Sequence, residues 1–499
     1  MCGIVGVIGS PEASKEAFLG LITLQHRGQD AAGILSFDQS FHLVKNLGLV
    51  ESVFTRESID SLHGSMAIGH TRYSTIGRGD LQDVQPLVLN YPYGLGVVHN
   101  GNIVNVGPVR DRLQNEMRRR CFTQSDTEVL LNWFAHHLSG SAVADLERAV
   151  KTVFKDIRGS YSIVGLLGGS DAQGGPGGGQ APGADGGMIA FRDPNGIRPL
   201  VRGKKGKGKS AAYMVASEST PLSFLGYEVV RDIEPGELLY IRQDGKMFSR
   251  KLEKPVHRPC MFEWVYFAGA EAIIEQTPVY SARLALGAAL AAQIRTKIRK
   301  GEMKVDLIAP VPDTARTAAA ALAEALKLPY REVLIKNRYI KRTFILGSQQ
   351  KRKTAVDLKL NPVVSEIKGK NIVLVDDSIV RGTTSKKIIE LVRKAGAKKI
   401  YFVSTCPPIR FPCFYGIDFP DPAELVAANR TEREIAKQLG ADGVVYQNQN
   451  GLLESLSRAS KRHVNRPCTA CLDGKYPTDV SAGVGMATAR SVDRKGAKE

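Results

Sequence analysis

NIVLVDDSIVRGTTSKK, residues 371–387, changes character twice. Its first half is an apolar run that reads as a buried strand and ends in two adjacent carboxylates, Asp376 and Asp377. Ser378, Arg381, Gly382, Thr383, Thr384 and Ser385 then form a polar loop that opens a helical pattern. Backbone N–H groups and hydroxyls at a helix N-terminus make an anion site suited to a monophosphate. Two carboxylates at the end of the preceding strand accept hydrogen bonds from ribose hydroxyls or approach a magnesium ion. The plainer alternative is a tight turn built from acidic residues and glycine.

Working outward, VDLIAPV (305–311) and KIYFVST (399–405) read as further buried strands. They alternate with helical patterns such as ARTAAAALAEAL and SKKIIELVRKAG, the rhythm of a mainly parallel sheet with helices on both faces. Residues 260–460 are therefore expected to form an α/β domain. Before residue 240 the pattern differs: HLVKNLGLV, GSMAIGHTRYST, GLGVVHNGNIV and GSYSIVGLLG are short apolar segments between turn residues, as in a β-rich α+β domain spanning 2–240. A Gly-rich insertion at 168–187 is expected as a disordered loop between two strands. Residues 461–499 form a C-terminal segment with a C-x-x-C pair, small and polar from 478 onward, where a mobile tail is expected.

Composition limits the function classes. The 499 residues, 43% hydrophobic and 24% charged, suit an ordinary globular enzyme of several domains. No apolar run reaches the roughly eighteen residues of a membrane span, and the start lacks a signal-peptide pattern, so a cytoplasmic protein is expected. Seven cysteines, an odd number, argue against a secreted disulfide framework and leave catalysis or metal binding open. The net charge of +18 comes without a stripe of basic and aromatic residues, which points to a phosphate-rich small substrate rather than nucleic acid. Among the basic clusters, GKKGKGK (203–209) and the C-terminal DRKGAKE read as loop and tail.

The 371–387 stretch closely resembles the phosphoribosyl pyrophosphate (PRPP) loop of the type I phosphoribosyltransferases. The resemblance implies that Asp376 and Asp377 hold ribose and magnesium, and that residues 378–385 hold the 5′-phosphate. APVPDTARTAAA (309–320) fits the same site, with Asp313 and Thr314 at the strand's carboxyl edge and Thr314 as a third magnesium ligand. Between the two motifs, KNRYIKRTFILGSQQKRKTAVDLKLN is polar, basic and poorly periodic, as a lid over pyrophosphate would be; Arg338, Arg342 and Lys359 are its candidate contacts.

The chain opens MCGIVGVIGS, a strand pattern with a cysteine directly behind Met1. Removal of Met1 would leave Cys2 with both a thiol and an α-amine, whose reference pKa of about 7.7 lets it serve as base for its own nucleophile. Arg72 in GHTRYST can clamp a carboxylate; Asn100 and the Gly101 N–H in HNGNI can face an oxyanion; Asp126 in QSDTEVL precedes a helix, where its plainer role is an N-cap. With LQHRGQDAAG (24–33), these resemble the glutaminase domain of the N-terminal-nucleophile (Ntn) amidotransferases, an αββα sandwich. That resemblance implies Arg72 for the glutamine α-carboxylate, Asp126 for its α-amine, and Asn100 with Gly101 as oxyanion hole. His26, His70 and His99 are expected to be structural.

Both halves together are similar to the amidophosphoribosyltransferase family. Membership implies hydrolysis of glutamine at Cys2 and transfer of ammonia to C1 of PRPP, giving 5-phosphoribosylamine, glutamate and pyrophosphate, the first committed step of purine synthesis. It also implies one magnesium per subunit, purine nucleotides as feedback inhibitors, and a homo-oligomer, by resemblance a tetramer. Four cysteines, two at C-x-x-C spacing, suit zinc or an iron-sulfur cluster. The segments around Cys260, Cys413, Cys468 and Cys471 resemble those that bind a [4Fe–4S] cluster in one branch of the family; Cys121 and Cys406 are expected as packing residues. The chain departs from the usual family sequence at Gly269, Ala270, Glu271 and Ala272, and in the lid at Lys341 and Asp357. A sugar-phosphate amidotransferase would share the first half but lack VDDSIVRGTTS, a PRPP-sensing regulator would have no use for Cys2, and a zinc-stabilised binding protein would leave both sites unexplained.

Overall fold

The computed structural model describes residues 2–73, 80–92, 94–138, 143–168, 186–208, 211–337, 360–419, 422–461 and 463–484. In the first half two antiparallel sheets lie face to face. One has seven strands in the order Glu228–Asp232, Val201–Lys205, Ala212–Ala216, Gly3–Ile8, Met66–Arg72, Ala31–Phe37, Phe41–Leu47. The other has six: Met247–Lys251, Glu237–Arg242, Gly187–Arg192, Gly159–Leu167, Leu95–Ile103, Leu87–Leu89.

Side-chain alternation explains the layering. Along Gly3–Ile8, Ile4 and Ile8 point into the core between the sheets, with Ile68, Val98, Val164 and Leu239. Val5 and Val7 point the other way, toward the helices Ala13–Thr23 and Ser219–Phe224, through Ala17, Leu21 and Leu222. Helices Val106–Asn115, Asp126–His137 and Val143–Asp156 cover the outer face of the six-stranded sheet. Strands apolar on both sides are what a four-layer αββα sandwich demands, and the expected fold of this half is the one observed.

In the second half Leu307–Pro310, Asn371–Asp376, Lys399–Ser404 and Gly443–Tyr446 form a wholly parallel sheet in that order. Ile372 and Leu374 pack against Thr383–Lys394 and Glu432–Leu439 on one face. Val373 and Val375 pack toward Val279–Arg299 and Arg316–Leu326 on the other. Among the described residues no helix is long and apolar enough to cross a membrane.

Two local expectations are corrected. Residues 203–205 of GKKGKGK are strand, not loop: Val201–Lys205 pairs on both sides, with Val201 and Gly203 turned inward, Lys204 on the opposite face, and Lys205 at the exposed strand end, where it pairs with Glu16. Glycine suits position 203, where a Cβ would lie 2.8 Å from the Glu228 carbonyl oxygen of the neighbouring strand. Nor does the chain become a free tail at 478. The Tyr415 hydroxyl accepts from Thr478 N (3.0 Å), and Arg158 pairs with Asp479 (2.8 Å), so a buried phenol and a cation draw residues 478–484 onto the protein. The Gly-rich insertion joins the paired strands Gly159–Leu167 and Gly187–Arg192, its residues 169–185 lying outside the described residues, as do 485–499.

Candidate active sites

The first site is assembled from three strands and one helix start. Cys2 precedes Gly3–Ile8, and its backbone nitrogen donates to Asn100 Oδ1 at 3.3 Å; its Sγ lies 3.9 Å from the Tyr73 carbonyl. Asn100 and Gly101 sit in Leu95–Ile103, in the opposite sheet. With Asn100 Oδ1 engaged, its Nδ2 is buried and has no hydrogen-bond partner among the described residues. Gly101 must be glycine, because a Cβ would lie 2.0 Å from the Ser160 carbonyl oxygen. Arg72 ends Met66–Arg72, buried, with its guanidinium 3.7 Å from Asp83.

Asp126 is buried at the start of Asp126–His137, but it is not the cap. Ser125 takes that position and accepts from Thr127 N, while Asp126 Oδ2 accepts from Ile103 N at 3.0 Å. The Asp126 carboxylate thus joins its helix start, through Thr127 Oγ1 (3.4 Å), to the strand that carries Asn100 and Gly101. His99 is buried between Thr127 Oγ1 (3.0 Å) and the Ser160 carbonyl, and burial beside Arg72 holds His70 neutral, its pKa pushed down to about 3.

The second site lies at the carboxyl edge of the parallel sheet, where the loops after Leu307–Pro310 and Asn371–Asp376 meet. Thr314 Oγ1 donates to Asp377 Oδ2 at 2.5 Å, Ser378 Oγ to Asp377 Oδ1 at 2.8 Å, and Asp377 N to Asp376 Oδ1 at 2.9 Å. Burial and then the Asp377 charge raise the Asp376 carboxyl; burial raises Asp377, opposed by the bonds from Thr314 and Ser378. Gly382, at φ +74°, turns the chain into Thr383–Lys394, whose first turn has no side-chain cap. The first-turn amides, with Thr383, Thr384 and buried Ser385, thus face an open anion cradle. Arg381 reaches Glu424 (3.0 Å) and Lys336 reaches Asp313 (2.6 Å). The lid strands Leu334–Lys336 and Leu360–Pro362 pair, while Arg338, Lys341, Arg342, Asp357 and Lys359 lie outside the described residues.

The four candidate cysteines share one core between the halves. Cys260 and Cys468 are bridged backbone to backbone, two amides donate to the Cys471 carbonyl, and Tyr415 N donates to Cys413 Sγ at 3.4 Å. None is in a disulfide. Burial pushes the Cys260 thiol up to about 11, while the nearby Arg198 guanidinium pulls it down. Cys406 is buried in the same core, and Cys121 packs against the helices of the first half.

Sequence reading passed over a chain of buried charges that joins the halves. Glu218 Oε1 binds Arg27 Nε and His26 Nε2 (2.8 Å); its Oε2 accepts from Gly269 N at 3.0 Å. Arg27 also donates to Glu263 Oε2 (2.7 Å), and Glu263 Oε1 meets Arg198 (3.3 Å). Only the inclusion of Arg27 in LQHRGQDAAG hinted at it.

Comparison with known proteins finds two domain families in the chain. The sequence matches the phosphoribosyl transferase domain family over residues 276–409 and the glutamine amidotransferase domain family over 58–148. It is 43% identical to the amidophosphoribosyltransferase of Escherichia coli K12, covering 97% of this chain and 94% of that one. With that of Methanocaldococcus jannaschii it shares 40% identity, over 96% and 98%. Among solved structures it is similar to the glutamine PRPP amidotransferase of B. subtilis complexed with ADP and GMP, with TM-score 0.82 and 36% identity, covering 96% and 98% of the two chains.

Proposed function

The chain belongs to the amidophosphoribosyltransferase family, and from that premise we propose a division of labour between its two sites. The protein is a pentosyltransferase of purine synthesis that makes 5-phosphoribosylamine from glutamine and PRPP. Arg72 takes the α-carboxylate of glutamine and Asp126 its α-amine. In the processed chain the nitrogen that donates to Asn100 Oδ1 is the α-amine, positioned to take the proton of its own thiol. The Cys2 sulfur attacks the side-chain amide carbon, and the oxyanion settles between Asn100 Nδ2 and the Gly101 N–H. Collapse releases ammonia and leaves a thioester, which water opens to glutamate. The buried Asn100 Nδ2 without a partner among the described residues carries this reading, because a donor so placed is one held for the transition state.

At the second site residues 378–385 receive the 5′-phosphate, and Asp376 and Asp377 the ribose hydroxyls. Ammonia displaces pyrophosphate from C1 with inversion, in a site where exclusion of water keeps it unprotonated. Lys359 and Arg342 are proposed for the pyrophosphate. The donor set of Asp376, Asp377 and Thr314, all hard oxygens, fits magnesium, which when bound neutralises the departing pyrophosphate.

Four cysteines that share one core and form no disulfide make a set of soft ligands for one metal centre. Cys260, Cys413, Cys468 and Cys471, with the Arg198 charge and an N–H bond to Cys413, would hold a [4Fe–4S] cluster that ties their segments together. Purine nucleotide inhibition, a cytoplasmic homo-oligomer and a tetrameric state complete the proposal.

The test is an anaerobic preparation assayed for glutamine- and PRPP-dependent pyrophosphate release, with iron and labile sulfide measured on the same sample. Cys2→Ala abolishes the glutamine-dependent reaction and retains the one with added ammonia. Loss of both with the fold intact refutes the division of labour; absence of iron and sulfide refutes the cluster.

A further inference from the structure

The segment 414–416, next to Cys413, lies against the back of the strand that carries Asn100 and Gly101. Gly416 is buried at φ +96°, and a Cβ there would come within 2.9 Å of the Gly101 carbonyl oxygen and 3.1 Å of its carbon. On either side of that contact the segment is tied down. Asn102 Nδ2 donates to the Phe414 carbonyl at 2.8 Å. The Tyr415 carbonyl accepts from Ser160 Oγ at 3.0 Å and from Arg198 Nε at 2.8 Å. Asn102 and Ser160 are cross-strand partners, and Gly101 pairs with Tyr161 beside them. Three groups of the first half therefore hold two successive carbonyls of the second, and the third residue rests on the peptide whose neighbouring N–H faces the substrate.

We propose that Gly416 is a positioning residue for glutamine hydrolysis: by lying directly on Gly101 it fixes the direction of the oxyanion-hole N–H, so that the second half of the chain completes the site of the first. The atoms a side chain would strike are backbone, not the tip of a flexible side chain, so the strain of a Cβ is relieved only by moving the Gly101 peptide or the segment itself. Oxyanion stabilisation depends on donors about 2.7–3.1 Å from the charged oxygen, and a small displacement of one of them lowers the rate without altering how glutamine's α-groups are held. The inference rests on the assignment of Cys2, Asn100 and Gly101 to glutamine hydrolysis.

The measurement is steady-state kinetics of Gly416→Ala with glutamine and, separately, with ammonium as nitrogen donor, alongside Cys2→Ala. Gly416→Ala is expected to lose about 10- to 100-fold in glutamine kcat, with the KM for glutamine near wild type and the ammonia-dependent rate retained. Equal losses with both donors, or a wild-type glutamine kcat, overturn the proposal. If Cys2→Ala retains glutamine turnover, the assignment beneath it is what has failed. Should Gly416→Ala not accumulate as folded protein, Asn102→Ala, which frees the Phe414 carbonyl, carries the test: the same split between donors supports the positioning role, and its absence overturns it.

Discussion

Replacing Glu218 by glutamine isolates the charge that locks the two halves together. Its side chain is fully buried and binds Arg27, His26 and the Gly269 amide at once. Burial alone would raise its pKa; Arg27, then His26, overcome it and hold the carboxyl at about 2, against 4.5 for an ordinary glutamate. A folded-state pKa below the unfolded value means stability that is present above pH 4.5 and lost as pH falls toward 2. The shift is worth about 3 kcal/mol, at roughly 1.4 kcal/mol per unit, and about 2 kcal/mol of it is gone by pH 3. At pH 7 Glu218→Gln leaves Arg27 with Glu263 alone and destabilises by about 3 kcal/mol, the lower end for breaking a buried pair. Urea unfolding of both proteins at pH 7, 5 and 3 reads the difference. The gap between wild type and variant is expected to hold from pH 7 to 5 and narrow by about 2 kcal/mol at pH 3. A gap of constant size would show that Glu218 is held by packing and not as a carboxylate.

Two further substitutions separate the sites. Asn100→Ala removes the Nδ2 donor and lowers glutamine kcat by about 10²- to 10³-fold while sparing the ammonia reaction; a parallel loss of both rates would refute the oxyanion role. Thr314→Val deletes the hydroxyl 2.5 Å from Asp377 and leaves the carboxylate one donor poorer. The loss of one charge-assisted bond, about 1.5–3 kcal/mol, raises the magnesium and PRPP requirement by roughly 10- to 100-fold with either nitrogen donor. A change confined to the glutamine reaction would place Thr314 outside the PRPP site.

What could be read from the sequence was what is local. A strand, two carboxylates and a helix start are contiguous in 371–387, and the fold preserves that order at one sheet edge. Cys2, Arg72, Asn100 and Asp126 are scattered, yet each stands in a short motif whose residue types match one chemical task. The buried charges have no such motif. Arg27 and Glu263 are 236 positions apart, and nothing in the residues flanking Glu218 marks it as their partner. The plainer alternative for Asp126, an N-cap, falls because Ser125 is the cap, which leaves the carboxylate to accept from Ile103 N instead. Lysines in 203–205 suggested a loop because composition outweighed alternation, although Val201 and Gly203 already carried the strand period.

The seam between the halves divides its tasks between two kinds of contact. Val104 and Ile197 of the first half pack with Met261, Phe262, Phe414 and the cysteines of the second, and such apolar burial favours association without dictating its register. The Arg27 guanidinium, taking one carboxylate from each half through Nε and Nη2, reaches both in a single arrangement, because its planar fork fixes where Glu218 and Glu263 must stand. In that arrangement Gly416 lies on Gly101, and the Phe414 and Tyr415 carbonyls are within reach of Asn102, Ser160 and Arg198. On the positioning role proposed for Gly416, an oxyanion hole backed in this way is at full strength only when the second half is docked on the first.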